Sequence, residues 1–419
     1  MGRRRPDDAC AQEVTGMVEQ ESTGAAEDGA RATLGVGMVG HAFMGQAHSQ
    51  AWRVAPRFFD LPVEPRMAVV AGRRAAAVEE AARRWGWAES ETDWRKLLVR
   101  DDVQLVDVCT PGDTHAEIAI AALEHGKHVL CEKPLANSVE EAEQMAAAAA
   151  DAAERGVMAM VGFTYRRVPA IALARELVAE GRIGTVRHVR AQYLQDWIAD
   201  EDAPLSWRLD KQKAGSGALG DIGAHVVDLA QHVTGERVTG VAGLLETFVD
   251  ERPLPADGGA LRGTASSGRG PVTVDDAAVF LGRLSGGGLA TFEATRFAWG
   301  RKNAIRLEVN GSRGSLAFDF EDMNVLHYYD ATEDPRLAGF RRVLVTEPDH
   351  PYVGAWWPAG HGLGYEHGFV HQAVDLVRAI AAGTQPEPSF ADGLQVQRVL
   401  AAVERSAADR STWTTVEES

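Results

Sequence analysis

Three ionisable side chains stand in two short motifs whose spacing permits acid–base chemistry. Asp221 and His225 are four residues apart where a helix is predicted, which places both on one helical face. Lys133 follows a predicted strand, within Glu132-Lys133-Pro134. Oxidation of a secondary alcohol needs a base that takes the hydroxyl proton as hydride leaves carbon, and histidine can do this near neutral pH. We therefore predict that His225 is this base, and the acid in the reverse direction. Lys133 would stabilise the alkoxide, and Asp221 would orient the pair or relay the proton.

The same histidine has two other interpretations. Taken alone, His225 could be a helix histidine satisfied by its neighbours, but its spacing from Asp221 and the lysine motif favour catalysis. His225, Asp228 and His232 also fall near one helical face, which raises the question of a metal site. Because metal ligand sets draw support from elsewhere in a fold, we predict no metal here.

A glycine-rich stretch predicts a dinucleotide cofactor. Residues 35–40 read GVGMVG, match the GxGxxG pattern, follow the first predicted strand and open the first predicted helix. Glycines allow a tight turn and close approach of the backbone to pyrophosphate, while the helix N-terminus supplies N–H donors and partial positive charge. The predicted contacts are Gly35, Gly37, Met38, Val39 and Gly40.

The end of the second predicted strand favours NADP over NAD. An NAD site usually presents Asp or Glu there to the ribose 2′-hydroxyl, but this chain reads Ala71-Gly72-Arg73-Arg74. Arginine can pair bidentately with a 2′-phosphate. We therefore predict NAD(P) as the cofactor, with Arg73 and Arg74 favouring NADP. If both arginines merely begin a solvated helix, the site would accept either cofactor.

Strand-like apolar runs alternate with helical periods over residues 32–160, which predicts an α/β fold that begins with a doubly wound parallel sheet, a Rossmann domain. The predicted strands cover residues 33–39, 66–71, 105–109, 129–131 and 158–162, and the helices begin near residues 44, 75, 114 and 138. Capping boxes support two of these helices, Thr114 with Glu117 and Ser138 with Glu141. Because the carboxyl ends of parallel strands share one edge, the loops after residues 109 and 131 should lie beside the cofactor.

Past residue 160, longer strand-like stretches predict a second, α+β domain with a large, mostly antiparallel sheet over residues 161–419. Its predicted strands cover residues 186–193, 277–284, 288–295 and 305–310, and its two closing helices cover residues 367–382 and 393–408. Those two helices are free to pack back on the first domain. A Gly/Ser/Pro-rich insert, residues 253–271, is predicted to be a peripheral loop. Residues 1–31 are predicted to be a disordered tail outside the fold.

The overall composition narrows the partners and the compartment. Of 419 residues, 43 are Lys or Arg and 60 are Asp or Glu, a formal net charge of −17. This charge disfavours nucleic acid and anionic membrane surfaces and suits a neutral small-molecule substrate. Three cysteines are too few for a disulfide framework, and no stretch approaches the roughly 20 apolar residues that span a bilayer. We expect a cytoplasmic protein that crosses no membrane.

These motifs, in this order, resemble those of the glucose–fructose oxidoreductase and inositol dehydrogenase family (Gfo/Idh/MocA) over residues 32–412. The resemblance implies a Rossmann domain followed by an open-faced mixed sheet that carries the substrate and often the oligomer interface, hence a homo-oligomer, either a dimer or a tetramer. It also implies that Lys133, Asp221 and His225 form the catalytic triad. The residues implied beside the nicotinamide or its ribose are Thr110, Pro111, His115, Glu132 and Lys133.

Three segments, residues 162–167 (GFTYRR), 193–197 (YLQDW) and 204–208 (PLSWR), look most like the levoglucosan dehydrogenase-like branch of that family. The implied sugar pocket is lined by Tyr165, Gln195, Trp197, Arg208, Asp221 and His225. An aromatic floor with a few aimed polar groups suits a neutral polyol. We therefore predict an NAD(P)-dependent dehydrogenase or reductase that transfers hydride at a secondary hydroxyl or keto carbon of a sugar, anhydrosugar or cyclitol. Two alternatives are a glycoside hydrolase or lyase acting by transient oxidation, and a non-catalytic sugar or nucleotide sensor.

Two further groups of residues are best interpreted as structural. One aromatic, histidine-rich segment contains Trp356, Trp357, His361, Tyr365 and His367. It is either a pocket lid or, as we favour, part of the core or of an interface. His41 and His48, on the first predicted helix, are interpreted as structural residues near the nucleotide.

Overall fold

In the computed structural model, which describes residues 32–255 and 265–417, the N-terminal part folds around a parallel six-stranded sheet. Its strands are β1 Thr33–Val39, β2 Glu64–Ala71, β3 Glu89–Glu91, β4 Leu105–Val108, β5 His128–Cys131 and β6 Ala159–Val161. The order is β3-β2-β1-β4-β5-β6, and every neighbouring pair is parallel. This confirms the predicted Rossmann sheet and puts its switch point between β1 and β4. The predicted tail, residues 1–31, lies outside the described residues.

Helices pack on both faces of this sheet. They are α1 Phe43–Phe58, α2 Ala75–Trp85, α3 Arg95–Leu98, α4 His115–Glu124 and α5 Val139–Ala153. Alternate strand residues point to opposite faces: Val39 and Val108 enter the apolar core that includes α4 and α5, while Met38 enters the core that includes α1 and α2. Burial on both faces explains why these strands read as continuous apolar runs.

One of the two predicted helix caps is present. The Ser138 hydroxyl oxygen accepts a hydrogen bond from the backbone N–H of Glu141 at 3.2 Å, at the start of α5. The predicted cap at α4 is wrong, because the Thr114 hydroxyl donates to the carbonyl oxygen of Pro111 at 2.8 Å. Thr114 therefore serves the loop before α4 instead of the helix.

The C-terminal part contains a nine-stranded mixed sheet and a separate hairpin. Its strands are β7 Val186–Leu194, β8 Val238–Glu246, β9 Glu251–Pro255, β10 Ala265–Pro271, β11 Ala277–Leu284, β12 Leu289–Thr295, β13 Ala304–Gly311, β14 Gly314–Asp319, β15 Val325–Asp330, β16 Arg341–Leu344 and β17 Thr414–Thr415. The sheet order is β16-β15-β14-β13-β7-β12-β11-β8-β17, and only β7 and β12 pair in parallel. Along β11, buried and exposed residues alternate, so one face of the sheet is covered and the other is open, as predicted.

The segment predicted to be a peripheral loop, residues 253–271, instead contributes to two paired strands. β9 and β10 form the antiparallel hairpin, and residues 256–264 between them lie outside the described residues. The guanidinium of Arg252 holds β9 in place, because it donates to the carbonyl oxygens of Asp200 at 2.7 Å and Ile198 at 2.6 Å. The Gly/Ser/Pro composition gave no sign of this buried anchor.

The C-terminal helices join the two parts of the fold. They are α6 Pro169–Ala179, α7 Lys211–Ala214, α8 Ala224–Thr234, α9 Tyr365–Ala382 and α10 Phe390–Ala408, and a π-helical turn, Leu219–Gly223, directly precedes α8. α9 packs against α1, and α10 packs against both α5 and β8. One apolar core therefore runs continuously between the two sheets. In the described part of the chain, no helix combines the length and the apolar character needed to cross a bilayer.

Candidate active site

The turn between the first strand and the first helix is as tight as glycine permits. β1 ends at Val39 and α1 begins at Phe43. Gly40 has a φ of +106°, and a Cβ there would meet the carbonyl oxygen of Cys109 at 2.6 Å. A Cβ at Gly45 would meet the carbonyl oxygen of Gly40 at 2.3 Å. The turn and the helix can therefore approach this closely only because both positions are glycine.

The N-terminus of α1 fits an anionic ligand. Its N-cap is Ala42, no side chain among the described residues caps it, and its first turn contains no acid. Its first N–H groups are therefore unsatisfied and carry the partial positive charge of the helix dipole. Ala42, Phe43 and Met44 line a cavity of about 740 Å³. Pyrophosphate would find N–H donors and no carboxylate in this first turn of α1.

The structure corrects the placement of Gly35, Gly37, Met38 and Val39 in the phosphate turn, because all four lie inside β1. A Cβ at Gly35 would meet the carbonyl oxygen of Asp102 at 1.8 Å, so this glycine serves packing within the sheet. Of the predicted set, only Gly40 is in the turn. The residues that follow the strand, 40–45, read GHAFMG, a second frame of the motif with alanine at the middle glycine.

At the end of β2, one of the two predicted arginines reaches the cavity. Both arginines are exposed, but Arg74 lines the cavity and Arg73 does not. The ring of His41 lies over Gly72, where an added Cβ would meet its Nδ1 at 2.2 Å. Burial and then the charge of Arg74 lower the pKa of His41. A neutral imidazole and a guanidinium therefore stand where NAD sites usually carry an acid.

Four of the residues implied beside the nicotinamide line the same cavity, namely Thr110, Pro111, Glu132 and Lys133. His115 does not line it. This buried imidazole lies beneath the cavity, with Nδ1 3.0 Å from the carbonyl oxygen of Pro134 and Nε2 2.9 Å from that of Thr110. His115 therefore braces the loops after β4 and β5 against each other, and this replaces its expected place beside the cofactor.

Lys133 and Asp221 bring the two parts of the fold into direct contact. Lys133 Nζ donates to the backbone oxygen of Asp221 at 2.7 Å and to its carboxylate Oδ1 at 3.3 Å. Asp221 lies in the π-helical turn and His225 in the first turn of α8. π-Helical turns are rare and occur often at functional sites. The structure thus brings Asp221 and His225, which the motif spacing had grouped, close to Lys133.

A second aspartate fixes the turn that carries Asp221. The carboxylate of Asp275 accepts hydrogen bonds from the backbone N–H groups of Gly217 at 2.7 Å and Leu219 at 2.8 Å. A Cβ at Gly217 would meet the carbonyl oxygen of Asp275 at 1.7 Å, so only glycine fits there. This buried cap holds the start of the π-helical turn rigidly against the second sheet.

Burial and the charges around the triad leave both Asp221 and His225 deprotonated at neutral pH. Burial alone would raise the pKa of Asp221, but Lys133, Arg208 and Arg296 together hold it well below its usual range. For His225, burial and then Lys133 lower the pKa well below 6.5, and Asp221 offsets this only in part. Asp221 is therefore a carboxylate and His225 a neutral imidazole at neutral pH.

A second cavity, of about 440 Å³, is lined by every residue predicted for the sugar pocket. Those residues are Tyr165, Gln195, Trp197, Arg208, Asp221 and His225. The ring of His225 packs edge-on against Tyr165, with ring centroids 4.8 Å apart. The two cavities share the side chains of Phe43, Met44, Glu132, Lys133, Arg208 and Asp221. Lys133 and Asp221 therefore lie in the wall common to both, with His225 in the second.

Asn303 organises one wall of this second cavity and was not predicted. Its Oδ1 accepts hydrogen bonds from the Tyr193 hydroxyl at 2.6 Å and from Gln195 Nε2 at 2.9 Å. Trp197 Nε1 in turn donates to Gln195 Oε1 at 3.0 Å. The polar side chains are therefore held in fixed orientations before any ligand binds. Asn303 follows an ordinary loop, so nothing in the sequence marked it.

Other unpredicted lining residues come from distant parts of the chain. They include Lys302, Tyr365 and Phe369. Lys302 Nζ is paired with Asp196 Oδ2 at 2.7 Å at the pocket. Tyr365 belongs to the aromatic segment that we favoured as core or interface. It packs against the apolar core, as favoured, and also lines this pocket. Trp356 from the same segment packs against Phe59, with ring centroids 5.4 Å apart.

Beneath the shared wall lies a buried histidine between two carboxylates. His48 Nδ1 is 2.9 Å from Asp107 Oδ1, and Nε2 is 2.9 Å from Glu132 Oε1. Trp52 Nε1 also donates to Asp107 Oδ2 at 2.7 Å. Burial alone would lower the pKa of His48, but Asp107 and then Cys109 outweigh it and raise the pKa well above 6.5. An imidazolium at His48 satisfies both carboxylates and holds Glu132 in the wall.

A glycine turn at a Rossmann switch point, joined to a lysine, an aspartate and a histidine at a second cavity, defines an NAD(P)-dependent oxidoreductase. Comparison with known proteins gives the family. Residues 34–163 match the oxidoreductase family, NAD-binding Rossmann fold, and residues 171–317 match the GFO/IDH/MocA C-terminal domain. The chain belongs to the Gfo/Idh/MocA family.

Three relatives agree with this assignment. Levoglucosan dehydrogenase of Pseudarthrobacter phenanthrenivorans is 44% identical over 383 residues, which cover 90% of this chain and 97% of that protein. The crystal structure of an oxidoreductase domain protein from Kribbella flavida is 72% identical, with a TM-score of 0.89, over 92% of this chain and 100% of that chain. A levoglucosan dehydrogenase in complex with NADH and levoglucosan is 42% identical, with a TM-score of 0.86, over 92% and 100%. The predicted family, its levoglucosan dehydrogenase-like branch and the class of dehydrogenase acting on CH–OH groups are confirmed.

Proposed function

We propose that this chain oxidises a secondary hydroxyl of a neutral sugar or anhydrosugar with NAD(P), and reduces the corresponding ketone in reverse. One observation carries the proposal: Lys133 and Asp221 lie in the wall between the two cavities, and His225 lines the second. A group bound in the second cavity would meet a base, a cation and the cofactor edge at once. The similarity to levoglucosan dehydrogenase supports an anhydrosugar, whereas none of the three relatives described above supports transient oxidation or a sensor.

The proposed roles follow from the charges of the triad. Neutral His225 accepts the hydroxyl proton, because its lowered pKa leaves the imidazole unprotonated at neutral pH. Lys133 donates to the same oxygen and stabilises the negative charge that develops there. Asp221 keeps the ammonium of Lys133 in place through its contacts at 2.7 and 3.3 Å. When bound, the nicotinamide would supply the hydride acceptor, held along Gly40, Thr110, Pro111 and Glu132.

The second cavity suits a polyol better than an anion. Tyr193, Gln195 and Asn303 form one connected hydrogen-bond network, which presents both donors and acceptors to hydroxyl groups. Of the cations that line this cavity, Lys302 is paired with Asp196, and Lys133 and Arg208 lie beside the carboxylate of Asp221. Trp197 supplies an aromatic surface of the kind that packs against the C–H face of a sugar ring. These features support a compact, neutral, several-hydroxyl substrate such as an anhydrosugar.

For the cofactor we propose a preference for NADP. Arg74 lines the cofactor cavity at the end of β2, and the residues there, Ala71 to Arg74, include no acid. A guanidinium can pair with a 2′-phosphate, whereas a ribose 2′-hydroxyl is usually bound by a carboxylate. The related levoglucosan dehydrogenase forms a complex with NADH, so both cofactors belong in the assay.

We also propose that the chain forms a dimer or tetramer through the open face of its second sheet, and works in the reducing cytoplasm. Leu244 and Val279 are directly paired across β8 and β11 and are exposed, as is Leu281. Such a patch supports self-association. Sedimentation of Val279→Lys against Leu337→Lys, an exposed control on the loop after β15, tests the interface.

The proposed reducing compartment agrees with the cysteines. The described ones, Cys109 and Cys131, are free thiols.

The proposed reaction is tested by a panel of anhydrosugars, sugars and cyclitols, each offered with NAD and with NADP. Reduced nicotinamide should form with a neutral anhydrosugar or sugar. His225→Asn and Lys133→Met should lower this rate by about 100-fold or more. If the parent reduces neither cofactor with any member of the panel, or if both variants match the parent, the proposed reaction is wrong.

A further inference from the structure

Arg296, just past the end of β12, is a guanidinium buried in the interior with incomplete hydrogen bonding. Its relative exposure is 0%. Its Nη2 donates to the backbone oxygen of Asp275 at 3.1 Å, while Nε and Nη1 have no hydrogen-bond partner in the described part of the chain. Burying a cation is costly unless a charge compensates it. Arg296 therefore needs an anionic partner nearby.

The nearest compensating charge is the catalytic carboxylate. Arg296 Nη1 lies 3.7 Å from Asp221 Oδ2, on the oxygen that Lys133 does not contact. Arg208 Nε also approaches this oxygen, at 3.9 Å, but Arg208 lies in the pocket wall and is itself available to ligand. Arg296 lines neither cavity. It reaches Asp221 from the protein interior, and a substrate in the pocket would not touch it.

Asp275 fixes this guanidinium relative to Asp221. The carboxylate of Asp275 caps the π-helical turn that carries Asp221, and the backbone oxygen of Asp275 holds Arg296. The guanidinium carbon also lies 5.7 Å from the ring centre of Trp197, a residue of the sugar pocket. Both partners of the 3.7 Å contact are therefore anchored to the same residue, which leaves little freedom in their separation.

The proposed dehydrogenase reaction gives a reason for the contact between Arg296 and Asp221. Lys133 is bonded to Asp221, yet it must also donate to the substrate oxygen as negative charge grows there. If Lys133 were the only cation at Asp221, its movement toward substrate would leave a partly buried carboxylate without a partner. A second cation behind the other oxygen removes that penalty and keeps the carboxylate pointing the same way.

We propose that Arg296 is a positioning residue that holds Asp221 from behind, so that Lys133 can move to the substrate oxygen. This inference rests on the proposed dehydrogenase reaction. Arg296 should act on the chemical step and not on binding. Substrate binding involves the pocket residues, cofactor binding involves the turn at Gly40, and Arg296 lines neither cavity.

The test compares Arg296→Gln and Arg296→Lys with the matched control Arg252→Lys. Arg252 is also 0% exposed, but its guanidinium bonds backbone oxygens of residues 198, 200 and 203 and contacts no member of the triad. We expect Arg296→Gln to lower kcat at least about tenfold, with KM for the sugar and Kd for NAD(P)H changed less than about threefold. The deuterium isotope effect on kcat should rise, since the chemical step becomes slower. Arg252→Lys should lower the Tm and leave kcat and the isotope effect unchanged.

Arg296→Lys keeps the positive charge but loses the forked N–H donors of the guanidinium. It should therefore keep part of the activity, with a kcat between those of the parent and Arg296→Gln. If Arg296→Gln does not fold, Arg296→Lys decides alone: an unchanged kcat and isotope effect overturn the proposal. A double-mutant cycle adds the direct test of mechanism, because in an Asp221→Asn background Arg296→Gln should cost less than about twofold further in kcat. Additive losses in kcat would also overturn it.

A second cycle separates this inference from the proposed reaction. Urea midpoints of Arg296→Gln, Asp221→Asn and the double variant need no substrate, and the two changes should be non-additive if the residues are coupled. Additive midpoint shifts overturn the Arg296 proposal whatever the substrate is. A parent inactive on the whole sugar panel would instead overturn the proposed reaction, and the urea cycle would still decide whether Arg296 holds Asp221.

Discussion

Lys133 Nζ lies 2.7 Å from the backbone oxygen of Asp221, and this contact joins the edge of the first sheet to the π-helical turn beside the second. The lysine follows β5 and the aspartate precedes α8, so 88 residues separate them in sequence. Neither part of the fold contains the site alone. The cofactor cavity ends, and the second cavity begins, at this pair.

The protonation state of His225 predicts the pH dependence of sugar oxidation. Its pKa lies well below 6.5, because burial and Lys133 disfavour the imidazolium. Oxidation needs the neutral ring, so kcat/KM should stay flat as the pH falls from about 8 to about 6.5 and drop only at lower pH. Cofactor binding measured over the same range is the control. An acid limb centred at or above the ordinary histidine value would contradict the role of His225.

The buried His48 predicts a pH-dependent contribution to stability. His48→Gln should lower the free energy of unfolding by about 3 kcal/mol at pH 6, because it leaves Asp107 and Glu132 without their shared cation. The folded-state pKa is raised above 6.5. The stabilisation is therefore complete below that unfolded value and is lost as pH rises through the folded-state pKa.

Urea unfolding of the parent and His48→Gln at several pH values measures this difference. The gap between the two proteins should narrow on the alkaline side. His125→Gln, at an exposed position after α4, is the control and should leave stability unchanged. A gap that widens with rising pH would contradict a protonated His48.

The end of β2 predicts the cofactor preference. Arg74→Ala should lower kcat/KM with NADP by about tenfold or more and leave kcat/KM with NAD within about twofold, because it removes a partner of the 2′-phosphate. Arg73→Ala should have a smaller effect, since Arg73 lies outside the cavity lining. Arg84→Ala, exposed near the end of α2, serves as the control. An unchanged NADP/NAD ratio in Arg74→Ala would remove the basis for an NADP preference.

Substitution of Asn303 should weaken sugar binding more than it slows the chemical step. Asn303→Leu should raise KM for the sugar about 10- to 100-fold, because Tyr193 and Gln195 lose their common acceptor. The intrinsic chemistry remains with the triad, so kcat should fall less than KM rises. Asn310→Leu, on β13 and bonded to Ser315, is the matched control and should leave KM unchanged. Equal effects of the two variants on KM would show that the loss is structural.

Much of this fold could be predicted because strong local patterns coincide with long buried elements. The predicted strand at 33–39 and the one at 277–284 match β1 and β11 residue for residue. β3, Glu89–Glu91, escaped notice because its sequence contains no apolar residue and its pairing depends on β2. β8 was also missed, since its glycines, Gly240 and Gly243, interrupt the apolar alternation.

The site could be predicted where motif spacing or the family resemblance carried the information. Asp221 and His225 share one helical face and so were found together, but Asn303 and Arg296 act through contacts across strands that no local pattern encodes. The glycine motif predicted the turn, but its frame was wrong for a different reason. Two overlapping frames fit the sequence, and only the strand boundary at Val39 shows that the second frame forms the turn.

The most direct measurement follows the hydrogen that the proposed reaction moves. An anhydrosugar deuterated at its ring carbons is incubated with the parent and oxidised NAD(P), and the reduced cofactor is analysed by mass spectrometry. One deuterium should appear in the reduced nicotinamide, at a rate that His225→Asn and Lys133→Met lower by about 100-fold or more. Reduced cofactor without deuterium, or product formed with no reduced cofactor, would contradict hydride transfer from a hydroxyl-bearing carbon.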